Sequence, residues 1–377
     1  MRWLLQKCVL FFYVHLVKPV LFRIPPDVMH EKMLTLSKFA SRHALFRWFI
    51  RYSMKYDNQK VLAQKLDKFN GLKFDNPFGL GAGFDKNAVT ATAIEGIGFA
   101  YAAFGSTTAR FCPGNERPWF HRLPEYKSLM VNVGLANDGV DVVSKTVSNA
   151  HSSSTTLKVG QSIARTNDAK AADDAEGIED YADSLQQLFG KTAYIEVNIS
   201  CPNTFKGEPF TDPALLDALL TRFDAVEHSG PITLKMPSDK TWEEFRELLE
   251  VVVEHDVQGV TISNLRKNRE NLEIPEEWKG NLSGAPTKDK SDYLVAKTFL
   301  EYGDRLVITG LGGIFTPEDA YRKIKLGASL VSVVSALMFK GPAVVPYLKR
   351  GLVKLLKEDG FENVREAVGT AATEYAQ

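Results

Sequence analysis

Eight short apolar runs, separated by stretches with helical spacing, constrain the fold of this chain more than any other feature. Segments between the runs, such as 242–257 and 317–326, repeat apolar residues at the spacing of an amphipathic helix. Alternating strands and helices favour a parallel sheet, and eight such units favour a closed barrel over an open doubly wound sheet. The sequence therefore predicts the α/β class and a (β/α)₈ TIM barrel. The predicted strands are 78–82, 100–104, 156–160, 194–199, 232–236, 259–263, 306–309 and 330–334.

Composition sets the size of the domain and excludes one class of partner. The chain has 377 residues, of which 44% are hydrophobic, and a barrel of this type uses about 200 to 250 residues as a single domain. Lys and Arg together number 46, as do Asp and Glu, so no basic field indicates nucleic acid binding. The three cysteines, widely spaced, fit neither a disulfide framework nor a zinc site. We expect a small-molecule substrate, a reducing compartment and no bound metal.

The first 57 residues are richer in aromatic and basic residues than the segment that follows. Lys7, His15 and Lys18 interrupt the apolar stretch at the start, so we expect no membrane-spanning helix. No small-residue cleavage site follows it, which makes secretion improbable. The composition suits short amphipathic helices lying in a membrane interface, or equally a helical cap packed on the barrel. The predicted division is a helical segment at 1–57 and a barrel with a C-terminal helix at 58–377.

Glycines and polar residues gather just after the predicted strands, where barrel enzymes place their active sites. The first strand leads into a glycine-rich run that ends at Lys86, and the fourth leads into the run 198–204. Within that run Cys201 is either a buried small hydrophobe or a general base. Lys235, near the end of the fifth strand, is costly to bury without a partner, which is either a rim carboxylate or an anionic ligand such as a reduced flavin or a phosphate.

Two later glycine loops, 280–284 and 310–314, lie near the ends of strands six and seven. Barrels commonly bind phosphate with the loops after strands seven and eight. Gly312, Gly313 and Ser335 are the candidates for such contacts, although glycines also mark ordinary turns. The stretch 152–180, rich in Ser, Ala and Asp, is interpreted as a mobile lid or an insertion.

Taken together, these runs resemble the dihydroorotate dehydrogenase family over about residues 27–369. The tail at 349–369 resembles the quinone-linked class of that family, which carries a membrane-associating helical pair before its barrel. The motifs that carry the resemblance are the run 81–86, Pro113-Gly114-Asn115, the run 198–203, Lys235, Asn264, Leu282-Ser283-Gly284 and Gly312-Gly313-Ile314.

The resemblance implies an FMN across the carboxyl end of the barrel and oxidation of dihydroorotate to orotate, in pyrimidine synthesis. Cys201 would be the catalytic base, and the reduced flavin would pass electrons to a quinone. The implied substrate-binding residues are Lys86, Asn198, Asn203 and Asn264. The implied cofactor-binding residues are Ala82, Gly83, Lys86, Ser106, Asn198, Lys235, Ser263, Gly284, Gly312, Gly313 and Ser335. The implied location is the membrane surface, on the cytoplasmic side of the inner or plasma membrane if the source is bacterial.

Four positions depart from the family pattern. Cys201 stands where quinone-linked members usually have serine, and Val131 stands where an asparagine usually binds substrate. Lys158 and Trp119 replace an asparagine near the flavin and an arginine of the quinone side. These changes leave open a diverged FMN barrel that acts on another dihydropyrimidine or cyclic amide. A flavin-binding membrane protein without catalysis is the alternative from a different class.

Overall fold

A closed barrel of eight parallel strands forms the centre of the computed structural model, which describes residues 2–376. Each strand pairs with the next one in the chain, and the eighth pairs with the first. The predicted (β/α)₈ barrel is confirmed, and each of the eight predicted runs overlaps one barrel strand. The barrel strands are Phe78–Leu80, Tyr101–Thr107, Lys158–Ile163, Tyr194–Asn198, Ile232–Lys235, Gly259–Ile262, Val307–Leu311 and Leu330–Val333.

Amphipathic helices follow the strands and cover the outside of the barrel, burying one continuous apolar core against it. Two of them begin at capping boxes, where Thr241 and Thr316 accept from the N3 backbone N–H. The barrel helices are Ala91–Gly96, Val140–Ser153, Asp174–Gln187, Pro213–Asp224, Trp242–Val252, Lys288–Tyr302, Pro317–Lys325, Ser335–Lys340 and Val344–Glu358. A short helix, Ala372–Ala376, ends the described chain.

Aromatic side chains fill the amino end of the barrel interior. A Cβ at Gly79 would lie 2.2 Å from the Tyr101 ring, and one at Gly160 would lie 2.2 Å from the Tyr194 ring, so the glycines make room for these rings. A hairpin of strands Gln64–Leu66 and Leu72–Phe74 packs below them. The amino end is therefore closed by packing, and only the carboxyl end is open to a ligand.

A small antiparallel sheet lies over the carboxyl end of the barrel. Strands Phe120–Leu123 and Ser128–Val131 come from the long connection after the second barrel strand, and Asn281–Leu282 comes from the connection after the sixth. The stretch 152–180 is neither a lid nor an insertion, since it contains the third barrel strand and the start of the helix Asp174–Gln187.

The N-terminal segment is helical and packs along one side of the barrel. Its helices are Arg2–Phe12, a π-helical turn Tyr13–Val17, Lys18–Leu21, Pro26–Arg42, Ala44–Met54 and Gln59–Leu62. Contrary to the sequence expectation, the 20 residues Arg2–Leu21 are long and apolar enough to cross a membrane, by length and composition only. The Gln6 amide nevertheless donates to the carbonyls of Ser53 and Lys55, and the Tyr13 hydroxyl donates to that of Met338.

Large apolar side chains remain exposed on these N-terminal helices. Such a concentration is uncommon on a surface that faces only water, and it is compatible with peripheral association with a membrane. The exposed side chains are Trp3, Leu4, Phe11, Phe12, Leu16, Val17, Val20, Val28, Met33, Leu36, Phe39, Leu45, Phe46, Trp48 and Phe49. The division at residue 57 stays a prediction.

Candidate active site

A cavity that is partly open to solvent lies at the carboxyl end of the barrel beneath the small sheet. All fourteen residues that the sequence analysis assigned to substrate, cofactor or catalysis line it. They are Ala82, Gly83, Lys86, Ser106, Asn198, Cys201, Asn203, Lys235, Ser263, Asn264, Gly284, Gly312, Gly313 and Ser335. The fold thus brings together residues from seven of the eight barrel strands or the connections that follow them, while their individual roles stay predictions.

Hydrogen bonds fix two predicted substrate amides at the carboxyl ends of the fourth and sixth barrel strands. The Asn198 amide nitrogen donates to Ser106 Oγ at 2.8 Å, and its oxygen accepts from Asn264 at 3.1 Å. Asn264 also donates to the Ser200 carbonyl at 2.6 Å. Each amide nitrogen and oxygen has a defined orientation before any ligand binds, which favours recognition of a planar ring with alternating donors and acceptors.

A third amide, Asn203, is held from the side of the small sheet. Its nitrogen donates to the Val131 carbonyl at 2.9 Å, and its oxygen accepts from Asn281 at 2.6 Å. Asn203 lies in the loop after the fourth barrel strand, so these bonds connect that loop to the sheet that covers the cavity. The position of Asn203 consequently depends on the sheet as well as on the barrel.

Two buried lysines face the cavity without an acidic partner. Neither Lys86 nor Lys235 forms a salt bridge within residues 2–376, and the Lys86 ammonium donates only to the Gly83 carbonyl at 3.0 Å. The pKa of Lys86 is lowered to about 8, mainly by burial and also by the neighbouring Lys235, against the opposing effects of Cys201 and Asp85. Unpaired buried cations are costly, so the geometry favours an anionic ligand over the rim carboxylate considered for Lys235.

The thiol of Cys201 lies close to both lysines. Burial raises its pKa, while the backbone N–H of Asn203 and the two lysines restrain that increase. The thiol is half-buried, and it packs beside Cys112, Leu135 and Ala164. No group of three or more His, Cys, Asp or Glu that could hold a metal ion occurs among residues 2–376. A thiol that faces a cavity lined by cations is compatible with proton transfer, and the role of Cys201 as a base stays a prediction.

Three glycines present backbone N–H groups for which the described chain provides no acceptor. Gly284, Gly312 and Gly313 all have positive φ angles, of 75°, 106° and 70°. A Cβ at Gly284 would lie 2.3 Å from the Lys127 carbonyl oxygen, so no other residue fits this turn. Clustered free N–H groups bind phosphate well, and these residues fit the phosphate of a mononucleotide.

Sequence reasoning missed a second set of free N–H groups. Within residues 2–376, the backbone N–H groups of Val133, Gly134 and Leu135 find no acceptor, and all three residues line the cavity. Gly134 and Leu135 both have positive φ angles, of 64° and 63°. Unpaired backbone N–H groups close together can bind a carboxylate, and we call the N–H groups of residues 133–135 the nest. A glycine at position 134 indicates a turn in the sequence, but the sequence does not reveal which N–H groups stay unpaired.

One wall of the cavity is apolar and includes a residue of the N-terminal segment. His30, from the helix Pro26–Arg42, packs edge-to-face against Phe84 at 5.8 Å and also contacts Phe120. Burial lowers the pKa of His30 to about 4, and Lys86 lowers it as well. His30 is therefore neutral near pH 7 and contributes to an apolar entrance between the N-terminal helices and the barrel.

A model of the family described as dihydroorotate dehydrogenase matches residues 65–356. The chain belongs to the dihydroorotate dehydrogenase family. A protein of Nostoc punctiforme named dihydroorotate dehydrogenase (quinone) is 30% identical over 95% of this chain and 97% of its own length. A protein of Halobacterium salinarum with the same name is 33% identical over 94% of this chain and 98% of its own length. The predicted family resemblance is confirmed. As a member of this family, the protein is an oxidoreductase.

Solved structures agree with the fold. The crystal structure of DHODH from Eimeria tenella in complex with ferulenol superposes with a TM-score of 0.76 at 23% identity, over 92% of this chain and 95% of that one. The ligand-free form from the same organism gives 0.76 at 25% identity, over 88% of this chain and 98% of that one.

Two of the departures from the dihydroorotate dehydrogenase pattern concern the small sheet. Val131 lines the cavity, whereas the Asn132 side chain points away from it and accepts from Asn115 at 3.0 Å. The missing amide is therefore not replaced by its neighbour. Trp119 does not line the cavity, since its indole N–H donates to the Asn115 carbonyl at 2.7 Å. Phe120 takes a place in the apolar wall instead.

The interpretation of Lys158 as a flavin-side residue is wrong. Lys158 is the first residue of its strand, so it lies at the amino end of the barrel, close to His151. The residue that the same strand brings to the cavity end is Ser162, whose hydroxyl bonds Ser106 Oγ at 3.0 Å. The predicted strand, 156–160, began two residues too early and placed Lys158 at its centre, whereas the strand runs from Lys158 to Ile163.

Proposed function

We propose that this protein oxidises dihydroorotate to orotate with FMN as its cofactor and a quinone as electron acceptor, in pyrimidine synthesis. The observation that carries the proposal is a single cavity that combines a thiol, three amides and two cations without acidic partners. A carboxylated pyrimidine and a flavin phosphate are both anions, and together they satisfy groups that the chain leaves unpaired.

FMN fits the residues present at the carboxyl end of the barrel. Gly284, Gly312 and Gly313 would hold its phosphate with their free N–H groups, together with Ser335, whose hydroxyl bonds Ser283 Oγ at 3.0 Å. Ala82, Gly83, Ser106, Lys235 and Ser263 line the rest of the same space. The bound flavin would supply the acceptor for a hydride and a carrier of two electrons to the quinone.

Dihydroorotate fits the opposite part of the cavity. Its carboxylate would bind the free N–H groups of residues 133–135 and the Lys86 ammonium, which form a strong site for an anion. Asn198, Asn203 and Asn264 would bond the ring carbonyls and N–H groups, because each carboxamide offers both a donor and an acceptor. Substrate orientation would thus rest on charge at one end and amides at the other.

Cys201 would remove the proton from the substrate carbon while the second hydrogen leaves as a hydride. Burial raises the pKa of this thiol, and Lys86 and Lys235 favour its thiolate form. The reaction should therefore accelerate as the pH rises towards that pKa. A serine hydroxyl, the usual group of quinone-linked members, has a still higher pKa, so this chain should work at lower pH than a serine variant.

A quinone would approach along the apolar wall formed by His30, Phe84 and Phe120. This wall adjoins the helix Pro26–Arg42, and the exposed apolar side chains of the N-terminal helices would rest in the lipid interface. We propose a monotopic protein that lies on the cytoplasmic side of the inner or plasma membrane if the source is bacterial.

The test is anaerobic reduction of the detergent-solubilised protein by dihydroorotate, followed at the flavin absorbance band, with Cys201→Ala as the control. We expect the band to bleach, and to bleach about 10²-fold to 10⁴-fold more slowly in the variant, because a general base contributes about that much. Reoxidation by quinone, fumarate or NAD then identifies the acceptor. A bound flavin that dihydroorotate never reduces would refute the proposal.

A second candidate function is favoured by one observation, namely that Val131 lines the cavity where an amide would bond dihydroorotate. The alternative substrate is another dihydropyrimidine or cyclic amide with an apolar group at that edge. Loss of one hydrogen bond to substrate costs about 1–3 kcal/mol, enough to change the preferred ligand. Faster flavin reduction by such a compound than by dihydroorotate would support it. Reduction by neither would indicate the third possibility, a flavin-binding membrane protein without catalysis.

A further inference from the structure

We propose that Asn167 is a positioning residue that fastens the loop 201–207, which carries the base, onto the segment 133–135, which carries the nest of free N–H groups. The inference rests on the proposed function for its kinetic consequence, but its structural part stands alone. Asn167 lines neither the flavin part nor the substrate part of the cavity. It acts on the site only through the two segments that it joins.

The Asn167 carboxamide bonds both segments at once. Its oxygen accepts from the backbone N–H of Phe205 at 2.6 Å, and its nitrogen donates to the Gly134 carbonyl at 3.3 Å. The residue before it is firmly anchored, because the N–H and hydroxyl of Thr166 bond the buried Asp180 carboxylate at 2.8 and 2.7 Å. The fastening point therefore belongs to the rigid end of the third barrel strand.

Packing does not hold the tip of the loop. The Phe205 side chain is 76% exposed, so burial contributes little to its position. The remaining ties are polar, since the Asn203 carbonyl accepts from Asn115 at 3.0 Å and the Thr204 hydroxyl donates to the Gly207 carbonyl at 2.6 Å. Asn115 also connects the loop with this segment, because its backbone N–H donates to the Val133 carbonyl at 2.9 Å, and Asn167 donates to the Asn115 side chain at 3.4 Å. Asn167 differs in that its one side chain bonds both the loop and the segment 133–135.

This bridge has a chemical consequence. The base and the nest come from connections after different barrel strands, the fourth and the second, so the barrel does not fix their separation. The substrate must contact both, and a displacement of about 1 Å in such a site can cost about 10²-fold in rate. Asn167 sets the distance between the carboxylate end of the substrate and the thiol of Cys201.

The experiment compares Asn167→Leu, which removes both bonds at similar volume, with Asn167→Asp, which keeps an acceptor for the Phe205 N–H. Asn149→Leu, at an exposed amide of the helix Val140–Ser153, is the matched control. We expect Asn167→Leu to slow flavin reduction about tenfold and to raise the KM for dihydroorotate, with unchanged flavin content and melting temperature. Asn167→Asp should keep most of the rate while the KM rises, because only the bond to the nest is lost.

Alkylation of the thiols gives a readout that does not require turnover. Cys8 is exposed and Cys112 is buried, so they serve as fast and slow references for Cys201 within one protein. N-ethylmaleimide should modify Cys201 about tenfold faster in Asn167→Leu than in the parent or in Asn149→Leu, as measured by peptide mass spectrometry. Parent-like alkylation and parent-like reduction in Asn167→Leu would overturn the inference. If dihydroorotate reduces no variant, the proposed function fails, and the alkylation rates still decide the role of Asn167.

Discussion

The two ends of the barrel treat buried charge in opposite ways. At the amino end, the buried Glu95 carboxylate accepts from the N–H and hydroxyl groups of Thr155 and Thr156 and pairs with Arg51 at 2.8 Å. At the carboxyl end, Lys86 and Lys235 have no acidic partner within residues 2–376. The same fold therefore surrounds the Glu95 carboxylate with donors and leaves the two lysines at the cavity without an acidic partner.

This difference separates stability from function. A satisfied buried carboxylate holds three segments together, whereas unpaired cations and free N–H groups raise the energy of the unliganded protein and lower it again when an anion binds. Substitutions at the amino end should change the free energy of unfolding and leave catalysis alone. Substitutions at the carboxyl end should change catalysis and leave the free energy of unfolding unchanged, because removing an unpaired charge does not weaken the fold.

The largest expected effect is at Lys86. Lys86→Met should raise the KM for dihydroorotate by about 10²-fold, since loss of a buried charged partner costs about 2–5 kcal/mol. The pKa of Lys86 is about 8 in the unliganded protein, so the parent KM should also rise with pH above about that value as the ammonium loses its proton. A pH series of flavin reduction rates measures both effects. An unchanged KM in the variant would show that the open cation is not a substrate contact.

At the opposite end, Glu95→Ala should destabilise the protein by about 1–3 kcal/mol, because it removes the charged hydrogen bonds that the buried Glu95 carboxylate accepts from Thr155 and Thr156. Burial acts to raise the pKa of Glu95, but its hydrogen bonds and Arg51 outweigh burial and lower it. The stabilisation is therefore present above the unfolded pKa and disappears as the pH falls through the folded one. Urea unfolding at pH 7 and pH 4 tests this, and the KM should not move. A KM that follows the stability would break the comparison between the two ends.

A smaller effect is expected where the cavity lacks an amide. Val131→Asn should add one hydrogen bond for dihydroorotate and lower its KM by up to about tenfold, consistent with about 1 kcal/mol per bond. Binding of orotate, measured by titration of the flavin spectrum, provides the check. If Val131→Asn instead binds orotate more weakly and no longer oxidises another cyclic amide that the parent accepts, the result would support the alternative substrate.

The smallest effect should come from Lys158, at the amino end of the third strand. Lys158→Asn should leave the flavin spectrum, the KM and the rate of reduction unchanged, since no cavity residue contacts it in the described chain. Surface substitutions of this kind typically change stability by less than about 0.5 kcal/mol. A shifted flavin spectrum in this variant would contradict the placement of the residue.

Much of the fold followed from local pattern. The apolar runs predicted the eight barrel strands because strands and amphipathic helices leave different periods in the sequence. The motif runs also predicted which residues gather at the cavity, since the carboxyl ends of parallel strands meet on one face. The apolar character of Arg2–Leu21 was underestimated. The sequence analysis looked for an uninterrupted run of apolar residues, but a helix with a few charged residues can still have the length and mean hydropathy of a membrane span.

What the sequence by itself determined is the barrel, its order and the chemistry available at its open end, because these depend on periodicity and on residue types that follow each strand. Only the tertiary structure decided which groups stay unpaired. The free N–H groups of residues 133–135, the open lysines, the inward side chain of Val131 and the bridge made by Asn167 all depend on partners distant in the chain. A hydrogen bond that is absent leaves no trace in a sequence, since its absence results from the arrangement of every neighbouring segment.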